Sequence, residues 1–193
     1  MSPHYFTRLT TIALLGGLLG LVGVGSSTRP ISAVQLQDGM VYFKQPPSLV
    51  DAITTSTIAN DWTATYYFTI SLPATAGEPL QKVTITQAEG IDRVHFSTQH
   101  ISAFAGQPRQ LGQRFTIANA DVDRAARTVT IEFDPALAPG QMVTIVLDPD
   151  RNPFSEGVYL FGVTAYPQGE KAHGQFLGYG RFHFYRGVGL FFR

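Results

Sequence analysis

Alternation of hydrophobic and polar residues is the strongest pattern in the chain, and it is clearest in WTATYYFTISL (62–72). Every second position falls on one apolar face: Trp62, Ala64, Tyr66, Phe68, Ile70 and Leu72. Successive side chains of a β-strand point to opposite faces of the sheet. The pattern therefore predicts a strand with this face in the core. Pro73 ends the predicted strand, because proline has no N–H to donate to a neighbouring strand.

Shorter segments with the same alternation follow, separated by turn residues. They are QKVTITQ (81–87), RVHF (93–96), RFTIA (114–118), RTVTIEF (127–133), QMVTIVL (141–147), GVYLFGVTAY (157–166) and GRFHFY (180–185). Residues 48–60 leave a helical turn open, although their threonines and isoleucines favour extended structure. About eight strands at intervals of roughly 10–15 residues predict an all-β fold, an immunoglobulin-like antiparallel β-sandwich. A transmembrane barrel is the alternative, and it needs longer, more uniform strands.

The N-terminal residues have a different character from the rest of the chain. Arg8 precedes an uncharged apolar stretch from Ile12 to Val24. This stretch is shorter than the roughly 20 residues of a membrane-spanning helix, and its length is typical of the hydrophobic part of a signal peptide. Small residues follow it, and they are consistent with cleavage between Ala33 and Val34 or with an earlier site at Gly25 to Ser27. We predict an export signal, with an uncleaved N-terminal anchor as the alternative.

Composition and charge narrow the function classes. The chain has 193 residues, of which 44% are hydrophobic, and 14 basic residues balance 14 acidic ones. It therefore lacks the basic surface that nucleic-acid binding requires. It contains no cysteine, which excludes disulfides, thiolate metal sites and lipid attachment through cysteine. We predict a signal peptide over 1–33, a β-sandwich domain over 34–186 without a transmembrane span, and an apolar tail over 187–193.

The segment LDPDRNPFSEG (147–157) has the spacing of a calcium loop. Oxygen-bearing side chains occur at its first, third, fifth and ninth positions, counted from the first aspartate: Asp148, Asp150, Asn152 and Glu156. In the EF-hand template the sixth position is glycine and the twelfth is a glutamate that binds calcium through both oxygens. Here Pro153 and Tyr159 occupy those positions. We interpret the segment as a stiff connection between strands, with a calcium site as the alternative.

His173 is the histidine that is freest to bind a ligand, because EKAHGQF is a predicted loop. The order GVYLFGVTAYPQGEKAHGQFLGYGRFHF (157–184) faintly resembles the last hairpin of periplasmic copper-carrier sandwiches, which place a histidine before a glycine. Those proteins also use a histidine at the mature N-terminus, where Val34 stands here. Methionine is scarce as well, since only Met40 and Met142 follow the initiator. Copper binding at His173 is a second metal alternative.

The sequence motifs of common enzyme classes are missing. No G-x-S-x-G or H-E-x-x-H occurs in the sequence, and no glycine-rich stretch of the mature chain resembles a P-loop or dinucleotide fingerprint. We therefore predict no catalytic residues, no cofactor and no enzymatic activity.

Aromatic residues crowd the C-terminal end of the chain. They are Phe176, Tyr179, Phe182, Phe184, Tyr185, Phe191 and Phe192. One interpretation is a core strand whose glycines allow close packing. The other is a face that binds carbohydrate or a partner protein, because aromatic side chains stack on sugars and dominate interface energetics. Both interpretations stay open at the level of the sequence.

Three stretches together resemble a family of exported cyanobacterial proteins that is known as a domain of unknown function. They are VYFKQPPSL with TATYYFTISLPATAGEPLQKVTI (63–85), FDPALAPGQMVTIVLDPDRNPFSEGVYLFGVTAYPQGE (133–170), and GQFLGYGRFHFY (174–185). The resemblance implies a signal-bearing protein of the periplasm or outer cell envelope with a β-sandwich domain, and it defines no site residues. We therefore expect a non-catalytic binding or structural module whose partner is an envelope protein or a polysaccharide. A periplasmic sandwich that binds copper or calcium is the alternative.

Overall fold

The computed structural model describes residues 34–35 and 39–187 of the chain. The predicted signal peptide (1–33) lies outside this part, as do residues 188–193 of the predicted tail. The described residues form these strands: β1 (Val34–Gln35), β2 (Val41–Tyr42), β3 (Ser48–Thr54), β4 (Tyr66–Ser71), β5 (Leu80–Glu89), β6 (Phe96–Gln107), β7 (Gln110–Arg114), β8 (Ile117–Asp123), β9 (Thr128–Leu137), β10 (Met142–Pro149), β11 (Gly157–Pro167) and β12 (Gln175–Phe184).

Two five-stranded antiparallel sheets form a sandwich. The first sheet has the order β3-β4-β10-β6-β7, and the second has the order β12-β11-β5-β9-β8. Strands β1 and β2 pair separately. The predicted fold class, an all-β antiparallel sandwich, is confirmed.

The core lies between the two sheets, where the inward faces of the alternating strands meet. Tyr66, Phe68 and Ile70 of β4 are fully buried, as are Phe161 and Val163 of β11. Each such side chain contributes about 1.5–3 kcal/mol through the apolar surface that it removes from water. The aromatic rings pack mostly edge to face or tilted, and the Tyr66 and Phe182 centroids lie 4.8 Å apart.

Strand boundaries differ from the prediction where side chains are exposed. The segment RVHF (93–96) contributes only its last residue to β6, which continues to Gln107. The segment RFTIA (114–118) spans the break between β7 and β8. The open helical alternative for residues 48–60 is wrong, because β3 is a strand. Strands β7 and β8 lie at the edges of their sheets. β7 is exposed on both faces, so no burial alternation marks it in the sequence, and β8 is only partly buried against the core.

Trp62 does not lie in the core, contrary to the prediction, and 75% of its surface is exposed. The chain enters the sheet only at Tyr66. Before that, Oδ1 of Asp61 accepts hydrogen bonds from the backbone N–H and the hydroxyl of Thr63, both at 2.8 Å. This turn breaks the alternation and directs the indole to the surface.

Glu78 is the polar side chain whose burial is least compensated within the described residues. Only 9% of its surface is exposed, and its Oε1 atom has no hydrogen-bond partner there. Desolvation by burial raises the pKa of the Glu78 carboxyl. The protonated form is therefore favoured in the folded state, and stability falls as pH rises through the raised pKa.

We expect Glu78→Gln to remove this penalty. Its melting temperature should exceed that of the wild type by a margin that grows as the pH rises above about 4, the ordinary pKa range of a glutamate carboxyl, because the wild-type carboxylate then ionises in its desolvated position. Differential scanning calorimetry at several pH values measures the margin. Glu170→Gln, at an exposed position, is the control and should track the wild type. A margin for Glu78→Gln that does not change with pH would contradict the prediction.

Candidate ligand-binding groove

The loop after β10 is built around the buried side chain of Asn152. Only 2% of Asn152 is exposed. Its amide nitrogen donates to the carbonyl oxygens of Ser56 at 3.1 Å and Ile58 at 2.9 Å, and its side-chain oxygen accepts from the hydroxyl of Tyr66 at 2.8 Å. Burial, the largest cause, raises the pKa of Tyr66 well above its ordinary value, so the hydroxyl keeps its proton. Asn152 thus attaches the β3–β4 connection to the loop.

A second set of hydrogen bonds holds residues 60–63, which we call the Trp62 turn. The backbone N–H of Asn152 donates to the carbonyl of Asp61, and the N–H of Asn60 donates to the carbonyl of Pro153, each at 2.7 Å. The Arg151 guanidinium donates to the side-chain oxygen of Asn60 at 2.8 Å. Asn60 has a φ of 65°, a left-handed conformation that asparagine tolerates better than most residues.

The Asp61 carboxylate accepts further hydrogen bonds within the same region. Hydrogen bonding to Ser56, and then to Thr63, lowers the pKa of Asp61. Asp61 is therefore ionised over the physiological pH range, and a charged acceptor makes the stronger hydrogen bond. The Trp62 turn is consequently fixed from the loop side and from within.

An open groove of about 510 Å³ begins beside the exposed indole. We call it the Trp62 groove, and its lining residues are Trp62, Thr63, Ala64, Thr65, His100, Asp148, Pro149 and Asp150. The Thr65 hydroxyl donates to Oδ1 of Asp148 at 2.7 Å. The N–H of Asp150 donates to the carbonyl of His95 at 2.9 Å, which fixes the end of β10. The groove thus combines one large aromatic surface with carboxylates and hydroxyls.

A larger groove of about 600 Å³ lies beside β6 and β8 but offers less chemistry. Its lining contains one charged side chain, Arg114, whose guanidinium lies 5.9 Å from the centroid of the Phe104 ring. The one aromatic residue in its lining, Phe115, is half-buried. The Trp62 groove therefore has the stronger arrangement for recognising a ligand.

The predicted calcium residues do not converge on one point. Asp148 and Asp150 both line the Trp62 groove. Asn152 is buried, and its side-chain oxygen accepts a hydrogen bond from the Tyr66 hydroxyl. Glu156 is exposed and lies 4.0 Å from Arg186. Among the residues that the structure describes, no three histidine, aspartate or glutamate side chains are grouped closely enough to hold a metal ion.

His173, the predicted copper residue, lies in the connection between β11 and β12. Its ring centroid is 4.6 Å from that of Tyr42, and its backbone N–H donates to the carbonyl of Val41 at 2.9 Å. These contacts join the connection to β2. His173 is not among the residues that line the Trp62 groove.

The aromatic residues at the C-terminal end of the chain are divided between the core and the surface. Phe182 and Phe184 of β12 are buried in the core, whereas Phe176, Tyr179 and the following Tyr185 are exposed. A bulge in the pairing of β12 with β11 places Phe176 and Tyr179 together, with ring centroids 5.0 Å apart. Both rings cover Gly162, where a Cβ atom would lie 3.2 Å from Phe176 and 3.3 Å from Tyr179. Phe191 and Phe192 are outside the described residues.

The sequence offers one signal for Trp62 that the alternation conceals. Asn60 and Asp61 directly precede it, and both residue types favour turns because their side chains bond to nearby backbone groups. A turn at these residues predicts that the strand begins after Thr63 and that the indole lies outside it. Nothing local in the sequence indicates that His100 and Asp148 line the same groove, since their proximity depends on the pairing of β6 with β10.

Within the described residues no helix has the length and hydrophobicity to cross a membrane. A comparison with curated proteins finds no match. Among solved structures, the chain is similar to the collagen-binding domain from a Staphylococcus aureus adhesin, with 9% identity over 72% of this chain and 99% of that chain and a TM-score of 0.39. It is also similar to BslA, a bacterial hydrophobin, with 15% identity over 74% of this chain and 100% of that chain and a TM-score of 0.41.

The match to a family model extends over most of the chain. Residues 40–184 match the model described as "Protein of unknown function (DUF2808)". The matched region runs from just before β2 to the end of β12, so it includes both sheets and the Trp62 groove. The chain therefore belongs to the DUF2808 family of proteins of unknown function.

Proposed function

We propose that the protein is a non-catalytic binding module of the cell envelope, and that the Trp62 groove is its binding site. The observation that carries the proposal is the exposure of Trp62 on a turn that hydrogen bonds hold in place. An exposed indole contributes little to folding, whereas tryptophan is prominent among the residues that dominate binding energy. Because the turn is fixed before binding, little further ordering entropy is lost when a ligand docks.

The arrangement of the carboxylates favours binding over catalysis. Asp148, near the end of β10, and Asp150, in the bend after it, belong to one short segment, and no carboxylate from another part of the chain is among the residues that line the groove. Hydrolysis of a glycosidic bond by paired carboxylates requires one group on each side of the bond. The groove is also open, whereas acid–base and nucleophilic catalysis benefit from the exclusion of water.

The export of this module is part of the proposal. Residues 1–33 would act as a signal peptide that is removed, and residues 34–186 would fold as the sandwich domain in the periplasm or outer envelope. The apolar stretch from Ile12 to Val24, preceded by Arg8 and followed by small residues, supports this organisation. N-terminal sequencing of the protein from its native envelope tests it, and a protein that starts at Met1 would contradict it.

Binding is tested by sedimentation with cell envelopes of the native organism. The change is Trp62→Ala, and we expect at least a tenfold loss of affinity, since a central tryptophan contributes about 2 kcal/mol or more to an interface. Tyr179→Ala is the matched control, because it removes an exposed aromatic ring from β12 and should sediment as the wild type does. Trp62→Ala should keep the wild-type melting temperature, because 75% of the indole surface is exposed. Tyr179→Ala should lower it only slightly, because the ring is 55% exposed and packs against Phe176 and Gly162 at the surface.

Two results would count against the Trp62 groove as the binding site. One is equal sedimentation of Trp62→Ala and the wild type. The other is a loss of binding on Tyr179→Ala alone, which would place the site on the exposed face of β12.

A further inference from the structure

We infer that the ligand of the Trp62 groove is an uncharged polysaccharide, recognised through single pyranose units along its chain. This inference rests on the proposed binding function. It is carried by three features of the groove: the exposed indole, the acceptors beside it and the sign of the nearby charges.

The indole of Trp62 matches the apolar face of a pyranose ring. A pyranose presents C–H groups on its faces and hydroxyls around its rim. The electron-rich face of an aromatic ring attracts C–H groups, and an indole offers the largest such face among the side chains. With 75% of its surface exposed, Trp62 has a free platform on which a sugar ring can stack.

The rest of the groove matches the rim of the sugar. Asp148 and Asp150 provide carboxylate oxygens, which accept hydrogen bonds from hydroxyls and form stronger ones than neutral acceptors do. The hydroxyls of Thr63 and Thr65 and the ring of His100 add donors and acceptors. Thr65 already orients Asp148 through the 2.7 Å hydrogen bond to its Oδ1 atom. The lining of the groove therefore combines donors and acceptors for sugar hydroxyls with the aromatic platform.

The charges of the groove select against acidic polysaccharides. Asp148 and Asp150 both line it, and its lining includes neither lysine nor arginine. Arg151, the next residue along the chain, is outside the lining, and its guanidinium donates to the side chain of Asn60. A uronic acid or sulfate group that approached these carboxylates would meet repulsion of like charges, which is strongest at low ionic strength. A basic protein segment would not be repelled. However, the groove offers such a segment no apolar pocket that would bury an anchoring side chain, which protein interfaces normally require.

The open shape of the groove fits a chain. With about 510 Å³ of open volume it admits a few sugar units, and it does not enclose them as a pocket for a monosaccharide would. We therefore expect oligomers to bind more tightly than the corresponding monosaccharide.

Trp62 is the only tryptophan in the chain, so intrinsic fluorescence reports on this groove alone. The experiment titrates the full mature protein at low ionic strength with dextran, laminarin and galactomannan as neutral probes. Polygalacturonate is the anionic probe and polylysine the basic one. We expect a saturable fluorescence change with at least one neutral polysaccharide and none with polygalacturonate.

Variants of the carboxylates sharpen the experiment. Asp150→Asn should weaken binding of the neutral polysaccharide several-fold, because an amide oxygen is a weaker acceptor than a carboxylate. Glu156→Gln removes an exposed carboxylate outside the lining of the groove and should bind as the wild type does. Equal affinity of Asp150→Asn and the wild type would contradict the recognition that we describe.

The outcomes separate this inference from the proposed function. If no neutral polysaccharide changes the fluorescence, or if polylysine alone does so, the polysaccharide inference is overturned. In that case, envelope sedimentation that still depends on Trp62 would leave the binding module intact with a different ligand. Loss of both the fluorescence response and the Trp62-dependent sedimentation would overturn both. Release of reducing ends from a bound polysaccharide would show catalysis and would contradict the non-catalytic proposal.

Discussion

Replacing Gly90 with alanine should lower the free energy of unfolding by about 3 kcal/mol or more. Gly90 has a φ of 134°, a backbone conformation that residues with a Cβ atom rarely adopt. The added Cβ would also lie 2.6 Å from Cε1 of Tyr159 and 3.0 Å from Nε2 of Gln87. Tyr159 is fully buried, and Gln87 is fixed by hydrogen bonds to residues 92 and 94, so neither side chain can move aside cheaply. Chemical denaturation measures the loss.

Gly157→Ala is the matched control for the backbone contribution. Its φ of 139° is close to that of Gly90, but a Cβ atom there would have no neighbour within 4 Å. We expect a loss of about 1–3 kcal/mol from backbone strain alone. The difference between the two variants then measures the steric conflict with Tyr159. Equal losses would mean that the Tyr159 ring adapts freely, which its complete burial argues against.

The inward face of β4 illustrates what local pattern can predict. Ala64, Tyr66, Phe68 and Ile70 are buried as the alternation indicates, because hydrophobic burial selects the face of a strand residue by residue. The same reasoning fails for Trp62. Its position depends on hydrogen bonds from residues 60–63 to residues 151–153, far away in the sequence. Alternation identifies which side of a strand is apolar, and it does not show where the strand begins.

The exposed strands were predicted less well than the buried ones, for the same physical reason. Strands β7 and β8 lie at sheet edges, and the side chains of β7 are exposed throughout. β7 has no buried face and therefore no alternation to detect, and the face of β8 is only partly buried, so both strands depend on pairing, β7 with β6 and β8 with β9. Only the tertiary structure supplies those pairings.

The segment LDPDRNPFSEG (147–157) carries several oxygen-bearing side chains. In the structure some of them line the Trp62 groove, and one binds the protein interior. The alternate spacing places Asp148 and Asp150 together in the Trp62 groove. Asn152 turns inward and binds the backbone of the β3–β4 connection. The sequence could indicate that this segment matters, but the partners of Asn152 are more than eighty residues away in the chain. Binding of a metal by the remaining residues stays a prediction.

Membership of the family could be predicted from the sequence because the stretches that resemble it coincide with strands of the sandwich. The quoted stretches contain β4, β10, β11 and β12, and the family match over 40–184 confirms membership of a family of unknown function. Cyanobacterial origin and export remain predictions. The family pattern defines no site residues. The groove could not be predicted from local sequence either, because it is assembled from β6, β10 and the segment before β4.

Replacing Asn152 with alanine should lower the free energy of unfolding by about 3 kcal/mol, because it leaves several buried polar groups without partners. The carbonyls of Ser56 and Ile58 lose their donor, and the Tyr66 hydroxyl loses its acceptor. Tyr66→Phe should cost about 1–2 kcal/mol, since it removes one hydrogen bond of this set. Each single variant removes the Tyr66–Asn152 hydrogen bond, and the double variant removes it only once. The loss of unfolding free energy in the double variant should therefore be smaller than the sum of the two single losses.

The same pair of variants tests whether Asn152 holds the Trp62 turn. Asn152→Ala should lower the fluorescence anisotropy of Trp62 under native conditions, because the carbonyls that anchor the β3–β4 connection are released. Tyr66→Phe leaves those two hydrogen bonds in place and should keep the wild-type anisotropy while it loses stability. If anisotropy falls in both variants, the order of the Trp62 turn depends on the overall stability of the domain and not on the Asn152 side chain in particular. Unchanged anisotropy in Asn152→Ala would mean that the backbone hydrogen bonds of residues 60 and 61 suffice to orient the indole, and that the side chain of Asn152 serves the core alone.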